Sequence, residues 1–390
     1  MQKISTEHIL AVQQPAAYCE IDLNAIRHNY QKIQKIASNQ MVAGETKTLK
    51  LIWVVKANAY GHGMLEIANC LDQLGAEFFG VSNVDEGIAL RKAGITKDIL
   101  VFETTFPELA EVIIDHQLIP TVCTYSLAQE LNGYAQSIGT KIDVHIKIDT
   151  GMGRLGVSYQ DAIQFIERLR GLNHLNIKGI YTHFPVADTN GDYTINQIQD
   201  FIRLLQELEK RNIQIPFIHA ANSMGILEYR NTFFNLARPG LMLYGLYPSA
   251  TIKTKIHLKP AMSVRSRIIF IKRILKGQGV SYGHAFIAKD DMTVGILPIG
   301  YNDGYFRAFS NHACVLVSGV RCPIIGRVTM DQTIVDLSRV DAPSLGMPVT
   351  LLGEELGKSV TANELATLAG TINYEIICSL GNRLPRIYKN

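Results

Sequence analysis

Residues 51–63 read Leu51-Ile-Trp-Val-Val-Lys56-Ala-Asn-Ala-Tyr60-Gly-His-Gly63, and the organisation of the chain follows from how this stretch is interpreted. Five consecutive apolar residues, Leu51 to Val55, are the pattern of a strand buried on both faces. The run stops at a lysine. After it come small and polar residues, and then Met64, Leu65, Ile67, Ala68 and Leu71 recur at helical spacing. Lys56 therefore sits where a buried strand hands over to a loop. In parallel α/β folds that edge is where a side chain leaves the sheet without meeting a covering helix, and catalytic groups collect there.

The same alternation continues outward in both directions. Apolar periodicity predicts a helix over 21–36, before the Lys56 strand. After it, strands are expected at 78–81, 99–102, 120–123, 141–148, 177–183, 216–221 and 233–237. Helices are expected between them at 85–93, 107–114, 126–138, 159–169 and 194–210. With the Lys56 strand this gives eight, and each parallel pair needs a crossover long enough for a helix. The expectation is an α/β fold: a (β/α)8 barrel of the TIM type over residues 1–257. An open doubly wound sheet is the alternative, but no GxGxxG follows the first strand.

Near Ile256 the character changes. Runs such as VRSRIIFIKRIL, TVGILPIG and ACVLVSG are short, β-branched and punctuated by Gly, Pro and Asp. Residues 258–390 are expected to form a second, mainly β domain with one amphipathic helix at 362–369.

A length of 390 residues accommodates both domains. With 47% hydrophobic residues, 19% charged residues and a net charge of +3, the chain is neither disordered nor built around nucleic-acid phosphates. The partner expected is a small molecule or another protein chain. The six cysteines show no CxxC and no metal-ligand spacing, so neither a metal site nor a disulfide framework is expected. The first 14 residues do not read as a signal peptide, and no stretch is long and apolar enough to span a membrane. A cytoplasmic location is expected.

Polar residues recur just after the apolar strands. Lys56 and Tyr60 follow the first, Arg154 lies in DTGMGRLG, His183 ends GIYTH, Asn222 and Ser223 follow FIHAA, and Arg238 follows FFNLA. A lysine in such a place either snorkels to solvent or is desolvated enough to attack a carbonyl, on a substrate or on pyridoxal phosphate. The constellation has no GxSxG elbow, no HExxH and no GxxxxGK[ST]. It does hold an amine, hydroxyls and backbone amides for a phosphate, and a cation to set the electronics of a ring. Ser223 and Gly240 suit close approach to a phosphate.

The segments VVKANAYGHG, DTGMGRLG, YTHF, ANS, ARPGLMLYG, GVSYG, GYNDGY, GRVTMDQ and INYE followed by RLPRIY occur in this order from about Tyr18 to Tyr388. In them the chain resembles the alanine racemase family, pyridoxal 5'-phosphate enzymes with a barrel and a β domain. The resemblance implies interconversion of L- and D-alanine, with D-alanine going to peptidoglycan. It implies that Lys56 carries the cofactor and is one catalytic base, and that Tyr282 is the other, lent by the second subunit of a homodimer. It also implies phosphate contacts from Tyr60, Ser223, Gly240, Leu241 and Tyr374. Arg238 would face the pyridine nitrogen, with His183 and Asn222 behind it, and Arg154 the ring hydroxyl. Met330 and Asp331 would approach the substrate across the dimer interface, as Arg154 does from its own side. Thr329 stands where many members have cysteine, and FPVAD departs from the usual segment after His183; neither removes a catalytic group.

Two physical arguments accompany these assignments. Racemisation takes a proton from one face of a planar carbanion and returns one to the other, and one amine cannot occupy both faces. A phenol of pKa about 10 can serve the second face only where a cation favours its phenolate, and Arg154 or His183 is expected to supply that bias. Arg238, whose pKa exceeds about 12, is expected to leave the ring nitrogen unprotonated, which suppresses transamination. In some members the lysine matching Lys147 is carbamylated, and the residue type here permits it. Within the class, a broader racemase acting on serine differs from an alanine enzyme by roughly 1 to 3 kcal/mol in pocket fit. Outside it, a noncatalytic pyridoxal phosphate carrier would need neither Tyr282 nor a second domain.

Overall fold

The strand at residues 50–54 (β1) pairs along both edges, and this closes a sheet. On one edge Lys50 and Leu51 pair with Leu236 and Ala237, and the N–H groups of Ile52 and Val54 reach the carbonyls of Ala237 (2.8 Å) and Pro239 (3.1 Å). On the other edge Trp53 and Val54 pair with Phe79 and Gly80. The computed structural model describes residues 15–38, 40–42, 45–47, 49–229, 234–248 and 256–390. The reading of residues 1–14 and the expected start of the eighth strand at Phe233 lie outside them.

Around the sheet the order follows the sequence: β2 (Phe78–Val81), β3 (Asp98–Val101), β4 (Ile119–Val122), β5 (Ile142–Asp149), β6 (Leu175–Tyr181), β7 (Phe217–His219) and β8 (Leu236–Ala237). Every neighbouring pair is parallel, and β8 returns to β1. This is the (β/α)8 barrel. The crossovers carry the expected helices, several begun by a side-chain cap: Asn83 accepts from the N–H of Glu86, Thr124 from Leu127 and Asn190 from Tyr193. Such caps each stabilise a helix by about 1 kcal/mol.

Alternation along the strands sorts the barrel into layers. Trp53 faces outward and stacks on Tyr30 of the helix Leu23–Ser38, with ring centroids 4.5 Å apart. Ile52 faces inward and clusters with Phe78, Leu100, Ile119 and Leu236, an apolar floor with Phe102 and Phe217 packed against it. Each such side chain contributes roughly 1.5 to 3 kcal/mol on burial. Level with Gly179 and Phe217 stands His145, and two residues further along come Tyr181 and His219. Gly179 makes room for them, because a Cβ there would overlap the His145 ring.

The second unit is formed by Pro260–Asn390 together with residues 15–24 and with Tyr60–His62. Its main sheet runs, by strand, Val320–Pro323, Cys314–Val317, Pro348–Glu355, Met262–Arg267, Ala17–Asp22, Arg386–Lys389. The sequence reading had placed residues 1–257 in one barrel domain. The strand Ala17–Asp22 instead pairs antiparallel with Met262–Arg267 and parallel with Arg386–Lys389. Its alternation of buried and half-buried residues suits a sheet with one covered face. The loop Tyr60–His62 joins the same unit: Arg386 donates to the carbonyl of Gly61 at 3.0 Å, and a Cβ on Gly61 would strike the carbonyl of Ile377. The helix Ala362–Ala369 is where the sequence placed it, and a second one, Asn373–Cys378, follows it.

Candidate active site

The barrel's C-terminal mouth is built from the strand positions just above the apolar floor. The alternation that puts Ile52 inside carries through Val54 to Lys56. On β5 it carries from His145 to Lys147, and past β8 from Leu236 to Arg238. Lys147, at 5% exposure, and Arg238, at 4%, are buried cations. Both lie over the face of Tyr181, at 5.6 and 5.2 Å from its centroid. Among the described residues, no carboxylate lies within ion-pair distance of Lys147, Arg154 or Arg238.

Neutral acceptors hold Arg238. Its guanidinium donates to the carbonyls of Thr182 (2.8 Å) and Ala220 (2.9 Å) and to Nδ1 of His219 (2.7 Å), and comes within 3.3 Å of Nδ1 of His183. Arginine has no acceptor, so Nδ1 of His219 is unprotonated and its Nε2–H donates to Nδ1 of His145, 2.9 Å away. That leaves the proton of His145 on Nε2, which is buried with no partner among the described residues. Burial and the charge of Arg238 hold His219 and His183 well below the usual histidine range; His145, chiefly through burial, falls to about 3. Burial also lowers Arg238 itself to about 10, so it stays charged at neutral pH.

Lys147 feels the same crowding. Burial first, then the charges of Arg154 and Arg238, bring its ammonium down to about 8. Lys56 adds to the positive field at both Lys147 and His183. Four cations thus converge on one end of the barrel.

Lys56 opens a stretch that sequence reasoning took for an ordinary loop. Ala57, Asn58, Ala59 and Tyr60 all have φ near +53°, a left-handed helical turn without a glycine in it. Such backbone costs L-residues roughly 1 to 2 kcal/mol each, with asparagine the most tolerant. It is held by hydrogen bonds. Asn58 Oδ1 accepts from the N–H of Met64 (2.8 Å), its carbonyl from Gly63 (2.9 Å), and Glu86 Oε1 from Ala57 (2.7 Å).

Arg154 is exposed, on a loop shaped by Asp149, whose Oδ1 accepts from the N–H groups of Gly151 (2.9 Å), Met152 (2.8 Å) and Gly153 (3.2 Å). Burial raises that carboxyl, but the backbone N–H groups outweigh burial and hold it below 3.8. Tyr193 donates to the carbonyl of Gly151 at 2.6 Å and pins the loop from above. Past β7, Asn222 caps the short helix Ser223–Glu228 by accepting from Gly225. Ser223 Oγ accepts from the N–H of Gly240 (3.0 Å) and of Met242 (3.4 Å), which leaves its own O–H to donate. Leu241 is buried beside them.

The remaining expected residues belong to the second unit. The rings of Tyr60 and Tyr374 lie 6.0 Å apart, and burial raises the Tyr60 hydroxyl above its usual range. Tyr282 is 72% exposed on a tight turn. Ser281 donates to the carbonyl of Arg327 (2.8 Å), and Arg327 donates back to that of Tyr282 (3.2 Å). Met330 is 53% exposed, and Asp331 pairs with Arg383, which also reaches the buried Asp303. The sequence reading offered His183 as a possible cation for the second base. In the structure burial, and then the charge of Arg238, hold His183 well below the usual histidine range.

Sequence reasoning missed His145, His219, Tyr181 and Glu86. The signal for His145 was present in DVHIKID, where every second residue of an otherwise apolar strand is polar.

Residues 21–248 match the family described as alanine racemase, N-terminal domain, and residues 261–388 match alanine racemase, C-terminal domain. The chain is 38% identical to the alanine racemase of Halothermothrix orenii, over 96% of this chain and 97% of that one. The solved alanine racemase of Clostridium difficile 630 superposes with a TM-score of 0.90 at 34% identity, covering 97% of this chain and 96% of that one. That of Bartonella henselae, with covalently bound pyridoxal phosphate, superposes at 0.86 and 29% identity, covering 96% and 100%.

Proposed function

The chain belongs to the alanine racemase family, and from that premise we propose that it interconverts L-alanine and D-alanine with pyridoxal 5'-phosphate, supplying D-alanine for peptidoglycan in the cytoplasm. The observation that carries the reading is the convergence of Lys56, Lys147, Arg154 and Arg238 at the barrel mouth, with Lys147 lowered to about 8 by burial and its neighbours. Such a mouth fits a dianionic phosphate and a substrate carboxylate.

The residues present fit this cofactor. A hydroxyl that already accepts two backbone N–H groups, at Ser223, has its proton free for a phosphate oxygen, and Gly240 and Leu241 lie beside it. Tyr60 and Tyr374 complete the proposed phosphate contacts. Bound there, pyridoxal phosphate supplies the electron sink that makes the α-proton of an amino acid removable. Arg238, charged and held by carbonyls and neutral imidazoles, is assigned to the ring nitrogen, where it donates a hydrogen bond and keeps its own proton. Neutral His183 and Asn222 would support the ring in this assignment, and Arg154 would contact its hydroxyl.

Lys56 and Tyr282 are the proposed bases, one for each face. Lys56 takes or returns the α-proton through its amine and Tyr282 through its phenol oxygen. In this reading Tyr282 comes from a second copy of the chain, together with Met330 and Asp331 at the substrate. What supports this is the exposure of Met330 and of Tyr282, the latter on a turn tied to Arg327 by two side-chain hydrogen bonds. Within each chain we propose a barrel domain and a β domain divided near residue 259, with the strand Ala17–Asp22 contributed to the latter.

The test is complementation. Lys56→Ala and Tyr282→Phe should each lower racemisation of both enantiomers, the second by on the order of 1,000-fold, while borohydride still fixes pyridoxal phosphate to Lys56 in Tyr282→Phe. Mixed and reassembled, the two inactive proteins should recover about a quarter of the parental sites, because only one site of each mixed dimer has both bases. Circular dichroism of added alanine reads the activity. No recovery on mixing, with proven subunit exchange, would refute the shared site.

A further inference from the structure

We propose that Glu86 is a positioning residue for Lys56: its carboxylate clamps the left-handed turn that follows the lysine onto the loop that follows β2. This rests on the reading of Lys56 as the lysine that carries the cofactor. Oε1 accepts from the N–H of Ala57 at 2.7 Å, and Oε2 accepts from the N–H of Ser82 at 2.7 Å. One side chain therefore ties the residue after Lys56 to the strand paired with β1.

The geometry explains why a carboxylate stands there. Both bonded groups are donors, and an ionised carboxylate offers two acceptor oxygens, whereas a glutamine offers one oxygen and one donating nitrogen. Glu86 is itself placed by a rigid element, the third residue of the helix Val84–Lys92, whose cap Asn83 accepts from the N–H of Glu86 at 3.0 Å. Ala57 gains nothing from being left-handed; its Cβ makes that conformation unfavourable, and glycine would adopt it freely. The turn is therefore held against its local preference, and the N–H of Ala57 is where the clamp acts. If the turn relaxed toward ordinary backbone, the Cα–Cβ vector of Lys56 would rotate with it. A displacement of about 1 Å at a reacting group is enough to cost on the order of 100-fold in rate.

The experiment compares the parent with Glu86→Gln, Ala57→Gly and the double variant. In the cofactor-free proteins, hydrogen exchange of the peptide containing Ala57 should quicken at least about tenfold in Glu86→Gln, with peptides of β5 unchanged. Fixation of pyridoxal phosphate at Lys56 by borohydride should slow in the same variant. In the loaded enzymes kcat should fall about 10- to 100-fold, with KM moving less than about threefold. Ala57→Gly added to Glu86→Gln should recover at least about fivefold of that loss, since glycine removes the need for the clamp. The proposal is overturned if exchange and fixation match the parent, or if kcat falls only in step with melting temperature and glycine restores nothing. A parent inert toward alanine would instead remove the racemase reading, and exchange and fixation would still decide the role of Glu86.

Discussion

Replacing His219 by leucine should destabilise the barrel far more than replacing His145 by leucine, although both rings are completely buried and bonded to each other. The asymmetry follows from the forced tautomers. Without His219, one N–H of the Arg238 guanidinium loses its acceptor, and a hydrogen bond to a charged group is worth about 1.5 to 3 kcal/mol. Nδ1 of His145 then loses its donor, at a further cost of about 1 to 3 kcal/mol. The stacking of Tyr181 on His219, at 4.5 Å and 10°, goes as well. The sum is roughly 3 to 6 kcal/mol, a large part of the total of about 5 to 15 that a domain has.

Without His145, the Nε2–H of His219 is orphaned, but the already unpaired Nε2–H of His145 disappears. One buried donor is exchanged for another, and leucine still packs against Phe78 and Phe217. The change should stay within about 1 kcal/mol. Urea unfolding followed by fluorescence of Trp53, the chain's one tryptophan and buried in β1, reads this unit directly. Equal losses in the two variants, or a larger loss at His145, would refute the tautomer assignment. Nitrogen NMR of labelled imidazoles gives an independent reading, with Nδ1 unprotonated in both rings.

Lys147 has a folded-state pKa of about 8 against an ordinary 10.5, so between those values the unfolded chain binds more protons and stability should rise with pH. Lys147→Met should abolish that rise in urea midpoints and be the more stable protein at pH 7. Asp149→Ala should lower kcat/KM about tenfold by releasing the loop that carries Arg154, whereas Asp149→Asn, which keeps an acceptor oxygen, should retain most activity.

The barrel was legible because its signal is repetitive: apolar runs separated by helical periods, eight times over. Strand ends shifted by one or two residues, as at β6 and β7, where hydrogen bonding rather than hydropathy decides the boundary. The strand Ala17–Asp22 went unread because a six-residue run such as AYCEID carries no mark of its partners, which lie more than 240 residues away. The left-handed turn was invisible for a different reason. KANAY contains no glycine, and the bonds that hold it come from Asn58 and from Glu86 of the helix Val84–Lys92. Residues that bear charge after a strand were found from sequence; those that hold them in place, His145, His219, Tyr181 and Asp149, act through contacts that sequence spacing does not show.

The layering of the barrel gives a reason for the division between these two sets. Below, the inward residues are apolar and contribute stability through burial. Above, the same alternation delivers Lys147 and Arg238 into a closed ring of strands, where no carboxylate among the described residues pairs with them and their solvation comes from carbonyls, imidazoles and the Tyr181 face. Those groups keep Arg238 charged, but none of them neutralises it. A barrel built this way gains stability from any anion seated at its mouth, by the ordinary linkage between binding and folding. On the proposed assignment, the same uncompensated cations that lower the stability of the protein alone supply the affinity for a phosphate dianion. Exchanging Lys147 for an apolar residue should therefore shift stability and anion affinity in opposite directions.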